Sequence, residues 1–174
     1  GFYCGRTNIE DYGFVQNGTD YYDGPANFAE SFFAGYKPEE DKPFFLYLSF
    51  MNPHDICYGA GFDPRFPDKL RPHQIAATQK YIDFHKTLSE EEYRNQIPPV
   101  PANMEPNGAY AEMKEIGSGS RNWTEEQWNF YRWMYCRLVE DVEKQIGRIL
   151  TALADAGLAD NTIVVFTSDH GEMG

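Results

Sequence analysis

At 174 residues and a formal charge of −12, the chain is long enough for one domain with a sizeable core. It is too acidic for a nucleic-acid partner, whose phosphates require clustered Lys and Arg. A content of 41% hydrophobic residues, with 12 Tyr and 13 Phe, excludes disorder and is compatible with surfaces that face carbohydrate.

Residues 1–26 are rich in Gly, Asn, Asp and Tyr and read as loop, with at most a short strand around Tyr12–Val15. Phe28, Phe32 and Phe33 stand near helical spacing and predict a short helix over Asn27–Tyr36. After the polar break Lys37–Pro43, the run Phe44–Phe50 predicts a buried strand that leads into Met51-Asn52-Pro53-His54-Asp55. Residues 51–122 hold prolines at 64, 67, 72, 98, 99, 101 and 106 and read as mostly irregular. Ser89…Glu92 is the one helix start there, as a capping box. So long a stretch with little regular structure marks a functional surface or an insertion.

Thr124…Gln127 is a second capping box, with Glu125 and Glu126 favourably placed in the first turn. Trp128, Tyr131, Tyr135, Leu138, Val142, Ile146, Ile149 and Leu153 recur at steps of three and four, predicting a helix to about Ala156 with one apolar stripe. The stripe reads as packing against a sheet, and Gly157 as a left-handed stop. Asp160-Asn161 then turns the chain into a β-branched strand, Thr162–Ser168, which ends in Asp169-His170-Gly171. Strand, long helix, strand is the grammar of an α/β fold with a parallel sheet, yet one strand pair cannot form a stable sheet alone. The remaining strands are expected from outside this segment. Gly1-Phe2-Tyr3 is no natural start, and the chain stops four residues after His170, so an internal fragment is expected.

Asp169 and His170 are a competent pair of metal ligands at the carboxyl end of a predicted strand, where open α/β sheets bind ligands. Read bare, an Asp-His dipeptide is also an ordinary turn, and His54 an ordinary loop histidine. If the two strands are parallel neighbours, His54 comes to lie near Asp169 and His170. A metal beside an imidazolium suits hydrolysis of a charged ester: the first neutralises the anion and the second protonates the leaving oxygen.

Lys42–Phe50 with Asn52-Pro53-His54, the helix segment Asp141–Leu158, and Asp160–Glu172 (DNTIVVFTSDHGE) together resemble the formylglycine-dependent sulfatases of the alkaline phosphatase-like superfamily. The resemblance covers residues 42–56 and about 124–174. It implies an incomplete α/β chain: part of a mixed or parallel sheet flanked by helices. Residues 1–41 would be a loop-rich lead-in, 42–56 the strand and His loop, 57–123 a variable substrate region, and 124–174 the long helix, strand and metal turn. It also implies that Asp169 and His170 bind a divalent metal, usually Ca2+, with Mn2+ or another ion open because of the imidazole. His54 would contact the sulfate and protonate the leaving alcohol. Ser168, Gly171 and Glu172 would be scaffold. Where many members continue the loop as PHxP, this chain has Asp55-Ile56-Cys57, which puts the local geometry and substrate in question.

None of Cys4, Cys57 and Cys136 opens the family's nucleophile signature, so a formylglycine is expected outside the segment, and the isolated chain is expected to be inactive. The three cysteines fit neither a disulfide framework nor a C-x-x-C knuckle and are expected to be structural. The substrate implied is a sulfate ester, most naturally of a sulfated oligosaccharide. A phosphonate or phosphate ester hydrolase of the same superfamily and a non-catalytic glycan-binding α/β domain are the alternatives. No apolar run spans a membrane, and export to the periplasm or medium rests on the resemblance alone. The sequons Asn17-Gly18-Thr19 and Asn122-Trp123-Thr124 read as chance.

Overall fold

The longest element is built as its caps predict. In the computed structural model, which describes residues 9–15, 22–40, 42–56, 72–99 and 124–171, a 31-residue helix runs over Glu125–Asp155. The Thr124 N–H donates to Gln127 Oε1 at 2.8 Å and the Gln127 N–H to Thr124 Oγ1 at 3.2 Å, so two otherwise orphaned donors are satisfied reciprocally. At the other end Gly157 adopts φ +70°. Its N–H donates to Ala154 O at 2.9 Å and that of Leu158 to Leu153 O at 3.2 Å. Leu153 and Leu158 are both buried against each other's cluster, which completes a Schellman stop with its apolar contact.

In chain order the helices are α1 (Gly24–Gly35), α2 (Pro72–His85), α3 (Glu90–Arg94) and α4 (Glu125–Asp155), with 3-10 turns at Ile9–Tyr12 and Ala159–Asn161. The chain divides into two compact units. The first joins Gly1–Pro53 to Val139–Gly171, and the second is chiefly His54–Leu138, so α4 contributes to both.

In the first unit α1 begins earlier than its phenylalanines suggest, because Pro25 sits in the first turn, where a missing N–H costs nothing. Ala29 and Phe33 of α1 pack with Leu153 and Leu158, flanked by Phe32, Tyr36, Phe44, Leu46, Leu48, Ile149 and Ala152. Phe44 stands edge-on to Phe32 and Tyr36, with ring centroids 5.2 and 5.0 Å apart. A polar clamp holds α1 to α4. Arg148 donates from Nε to Glu30 Oε1 (2.8 Å), and from Nη2 to Glu30 Oε2 (2.7 Å) and Asn27 Oδ1 (2.6 Å). Arg148 Nη1 donates to Gln145 Oε1 at 2.8 Å, and Gln145 Nε2 to Asp23 Oδ1 at 2.7 Å.

In the second unit Ile56, Tyr81, Tyr93, Trp133, Met134 and Leu138 form the core. The His85 ring stands edge-on to Tyr93 and Phe130 at 4.5 and 5.0 Å. Trp133 Nε1 and Arg137 Nη1 both donate to Gln96 Oε1, at 3.2 and 2.6 Å. The capping box at Ser89 is present: its backbone N–H donates to Glu92 Oε2 at 2.8 Å, and the Glu92 N–H returns to Ser89 Oγ at 3.3 Å.

Three expectations need correction. Residues 51–122 are not mostly irregular over their described part, since α2 occupies 72–85 and α3 90–94; Pro72 opens α2 rather than breaking it. Tyr12–Val15 is no strand: a 3-10 turn ends at Tyr12 and Gly13 reverses the chain at φ +82°. Above all, Phe44–Phe50 and Thr162–Ser168 do not form a parallel pair, and among the described residues the regular elements are all helical, with no strand. The physical reason is that a strand exists only through a neighbour's hydrogen bonds, and neither segment supplies the other's. Residues 44–48 still alternate as a strand does. Phe44, Leu46 and Leu48 turn to the core, while Phe45 and Tyr47 are 79% and 72% exposed.

Candidate functional site

Asp169 and His170 follow the unpaired segment after the Gly157 stop, and both side chains are open to solvent, 80% and 77% exposed. Asp169 Oδ1 accepts the His170 backbone N–H at 3.0 Å, which turns the carboxylate toward its neighbour. His170 Nδ1 lies 2.8 Å from the carbonyl of Gly171. A carbonyl can only accept, so Nδ1 is the protonated nitrogen and Nε2 is left as the lone-pair donor of the neutral ring. Ser168 Oγ donates to the carbonyl of His170 and closes the turn.

His170 Nε2 and Asp169 Oδ2 are 3.7 Å apart. Metal–nitrogen bonds near about 2.1 Å and metal–oxygen bonds near about 2.4 Å let two atoms so spaced share one ion. The donor set therefore fits a divalent cation, with a carbonyl fixing the imidazole tautomer as metal-bound histidines usually require. It supplies two ligands only. Among the described residues no group of three or more His, Cys, Asp or Glu side chains gathers around a common point.

His54 is half-buried in the turn that follows the cis Asn52–Pro53 peptide, and the next residue, Asp55, is 1% exposed. Ile56 anchors this loop in the core of the second unit. The structure thus brings Asp169 and His170 together in the first unit and places His54 in the second. Cys136 is a half-buried thiol on α4. Cys4, Cys57, the sequon asparagines Asn17 and Asn122, and most of the 57–123 segment lie outside the described residues.

The sequence did not single out a buried polar group on the face of α4 next to that core. Arg132 and Asn129 are both 8% exposed, and Arg132 Nη2 donates to Asn129 Oδ1 at 2.8 Å. Tyr93 lies in the same cluster as Trp133, and burial pushes its hydroxyl up to about 12, helped by Glu126 and Glu90 and opposed by Arg94 and Arg132. The available signal was an arginine set among Trp128, Phe130, Tyr131 and Trp133 on the apolar part of a helix.

Comparison with known proteins identifies the family. The chain is 32% identical to a sulfatase of Formosa agariphila over 96% of this chain and 29% of that protein. It is 30% identical to arylsulfatase K of Danio rerio, covering 76% and 23% of the two chains. Against the multifunctional alkaline phosphatase superfamily protein PehA of Trinickia caryophylli, identity is 28% over 78% of this chain and 25% of that protein. The chain therefore spans about a quarter of the length of the curated relatives it matches. No solved structure matches it. The sulfatase family model matches residues 4–174, nearly the whole sequence, and the chain belongs to the sulfatase family of the alkaline phosphatase superfamily.

Proposed function

We propose that this chain is the part of a sulfuric ester hydrolase that carries two metal ligands, Asp169 and His170, and the general acid His54. The observation that carries the reading is the Asp169–His170 turn, within a family match that covers residues 4–174. The turn presents a carboxylate oxygen and an imidazole nitrogen 3.7 Å apart, with the tautomer fixed by Gly171. A divalent cation held there, Ca2+ by family resemblance and Mn2+ as the alternative the imidazole allows, would offset charge on the sulfate oxygens. His54, held by the buried Asp55-Ile56 anchor, would give its proton to the leaving alcohol oxygen. The nucleophile, a formylglycine, would come from a part of the protein beyond these residues, because no cysteine here carries its signature.

A sulfated carbohydrate is the substrate class this reading favours. The named relatives include iduronate 2-sulfatase of Homo sapiens, 28% identical over 74% of this chain and 22% of that protein. The test is turnover by the complete protein of sulfated oligosaccharides against simple phosphate and phosphonate esters. Hydrolysis of the second class alone would sink the sulfatase reading. It would favour a phosphoester or phosphonate hydrolase, the second reading, which the similarity to the multifunctional PehA keeps in view.

A further inference from the structure

A charged side chain closed to solvent stands directly after the proposed general acid. Asp55 is 1% exposed and Ile56 2%, whereas His54 is half-buried. All three belong to the second unit. Ile56 packs in its core with Tyr81, Tyr93, Trp133, Met134 and Leu138. Asp55 has a partner within the protein, as a buried acidic residue requires.

Taking a carboxylate out of water costs free energy even when it is paired, so such a group is a weak stabiliser. The better attested use of buried polar groups is to hold one arrangement over its alternatives. With its side chain sealed from solvent, Asp55 is closed to substrate, so it neither binds the ester nor exchanges a proton with it. Its neighbour supplies the second half of the argument. Where the family resemblance has a second proline in PHxP, this chain has Ile56, and the backbone restriction that proline imposes is missing. The loop is held by side chains instead. Consecutive buried residues after His54 pin its backbone and leave chiefly the rotation of its own imidazole free.

We propose that Asp55 is a positioning residue for His54: its buried side chain, together with Ile56, fixes the backbone from which the imidazolium reaches the leaving oxygen. This rests on the sulfatase reading and deepens it. The proton donated by His54 would depend on a neighbour that never touches the substrate. Proton transfer needs its donor within hydrogen-bond reach, and a displacement of about 1 Å can cost about a hundredfold in rate.

The experiment compares Asp55→Ala, His54→Ala and the double variant in the complete protein, with 4-nitrophenyl sulfate as the good leaving group and an alkyl sulfate as the poor one. Asp55→Ala is expected to lower kcat about a hundredfold for the alkyl sulfate, far less for the nitrophenyl ester, and to leave KM unchanged. The double variant should be no slower than His54→Ala, because both changes remove the same proton transfer. A readout independent of turnover is carbethoxylation of His54 by diethyl pyrocarbonate, followed by mass spectrometry, which should be faster in Asp55→Ala than in the wild type. Equal slowing of both esters by Asp55→Ala, losses that add in the double variant, or unchanged reactivity of His54 would each overturn the proposal. If His54→Ala meanwhile slows chiefly the alkyl sulfate, the general-acid reading stands without Asp55. If His54→Ala itself shows no dependence on the leaving group, that reading falls and the proposal falls with it. Should Asp55→Ala fail to fold, Asp55→Asn keeps the side chain's shape and one acceptor oxygen. Unchanged leaving-group dependence and unchanged His54 reactivity in that variant would overturn the proposal equally.

Discussion

Two glycines on one helix should respond to the same substitution with opposite signs. Gly147 lies inside α4 and Gly157 just beyond its end, and a Cβ built at either position meets no atom within 4 Å. Sterics therefore drop out and the backbone alone decides. At Gly147, alanine removes the entropic penalty of glycine in a helix and should stabilise by about 0.5–1 kcal/mol. At Gly157, φ of +70° is the left-handed conformation, which an L side chain enters at a cost of about 1–2 kcal/mol. The stiffer unfolded chain returns part of that, roughly 0.4–1 kcal/mol. A net loss of about 1 kcal/mol remains, and the two variants should differ by roughly 2 kcal/mol, or about 4–8 °C in Tm for a chain of this size. The assay is urea unfolding of the wild type and both variants, comparing midpoints at constant m-value, with Gly157→Asn expected between wild type and Gly157→Ala. A neutral Gly157→Ala would refute the assignment of the stop to backbone conformation. A destabilising Gly147→Ala would show that something beyond the described residues packs on that side of α4.

Leu138, fully buried beside Trp133 and Met134, should cost about 2–5 kcal/mol on replacement by alanine, measured by the same unfolding series. The Arg148 guanidinium holds the Glu30 carboxyl below its ordinary value of 4.5, so the clamp's contribution is complete above 4.5 and fades as pH falls through the lowered folded value. The Tm difference between wild type and Glu30→Gln should therefore be present near neutral pH and shrink under acid; a difference that grew on acidification would reverse the sign. Asp169→Ala in the complete protein should remove both divalent-metal affinity and turnover. His54→Ala should spare metal binding and slow hydrolysis most for esters with poor leaving groups, whereas equal slowing across leaving groups would count against proton donation.

What the sequence disclosed depended on how far the deciding chemistry reaches along the chain. The caps at Ser89, Thr124 and Gly157 were legible because each is settled by atoms within a few residues. Helix α2 was missed because Pro72 was read as a breaker, although proline's fixed φ suits the first turn. The stripe on α4 was only partly right. Leu138 and Leu153 are buried as expected, yet Trp133 and Met134 have no exposed surface and were not in the pattern. A helix that serves two units meets different surfaces along its length, and one periodicity cannot describe both. Asp169 and His170 were legible as a pair because they are adjacent in the chain. The Tyr93–Arg132 neighbourhood was not, since it exists only through the folding of α3 against α4.

The two strand-like segments carry different information, and the difference bears on the architecture. Residues 44–48 alternate between core and solvent, so α1 and the end of α4 cover one face and leave the other open. In the second segment the exposure does not alternate: Ile163, Val164, Val165 and Phe166 stand at 92%, 57%, 81% and 79%. Successive strand residues point to opposite faces, so four consecutive apolar residues need cover on both. A strand buried on both faces belongs to the interior of an α/β sheet rather than to its edge, and such a run left bare is an aggregation hazard. The same segment positions Asp169 and His170 through the Ser168–His170 contact. Whatever partners pair with 162–168 would therefore set the orientation of the Asp169–His170 turn as well as its stability. On that argument the metal affinity of the turn and the burial of Val165 should rise together, and a complete protein in which they were independent would break the link between sheet and site.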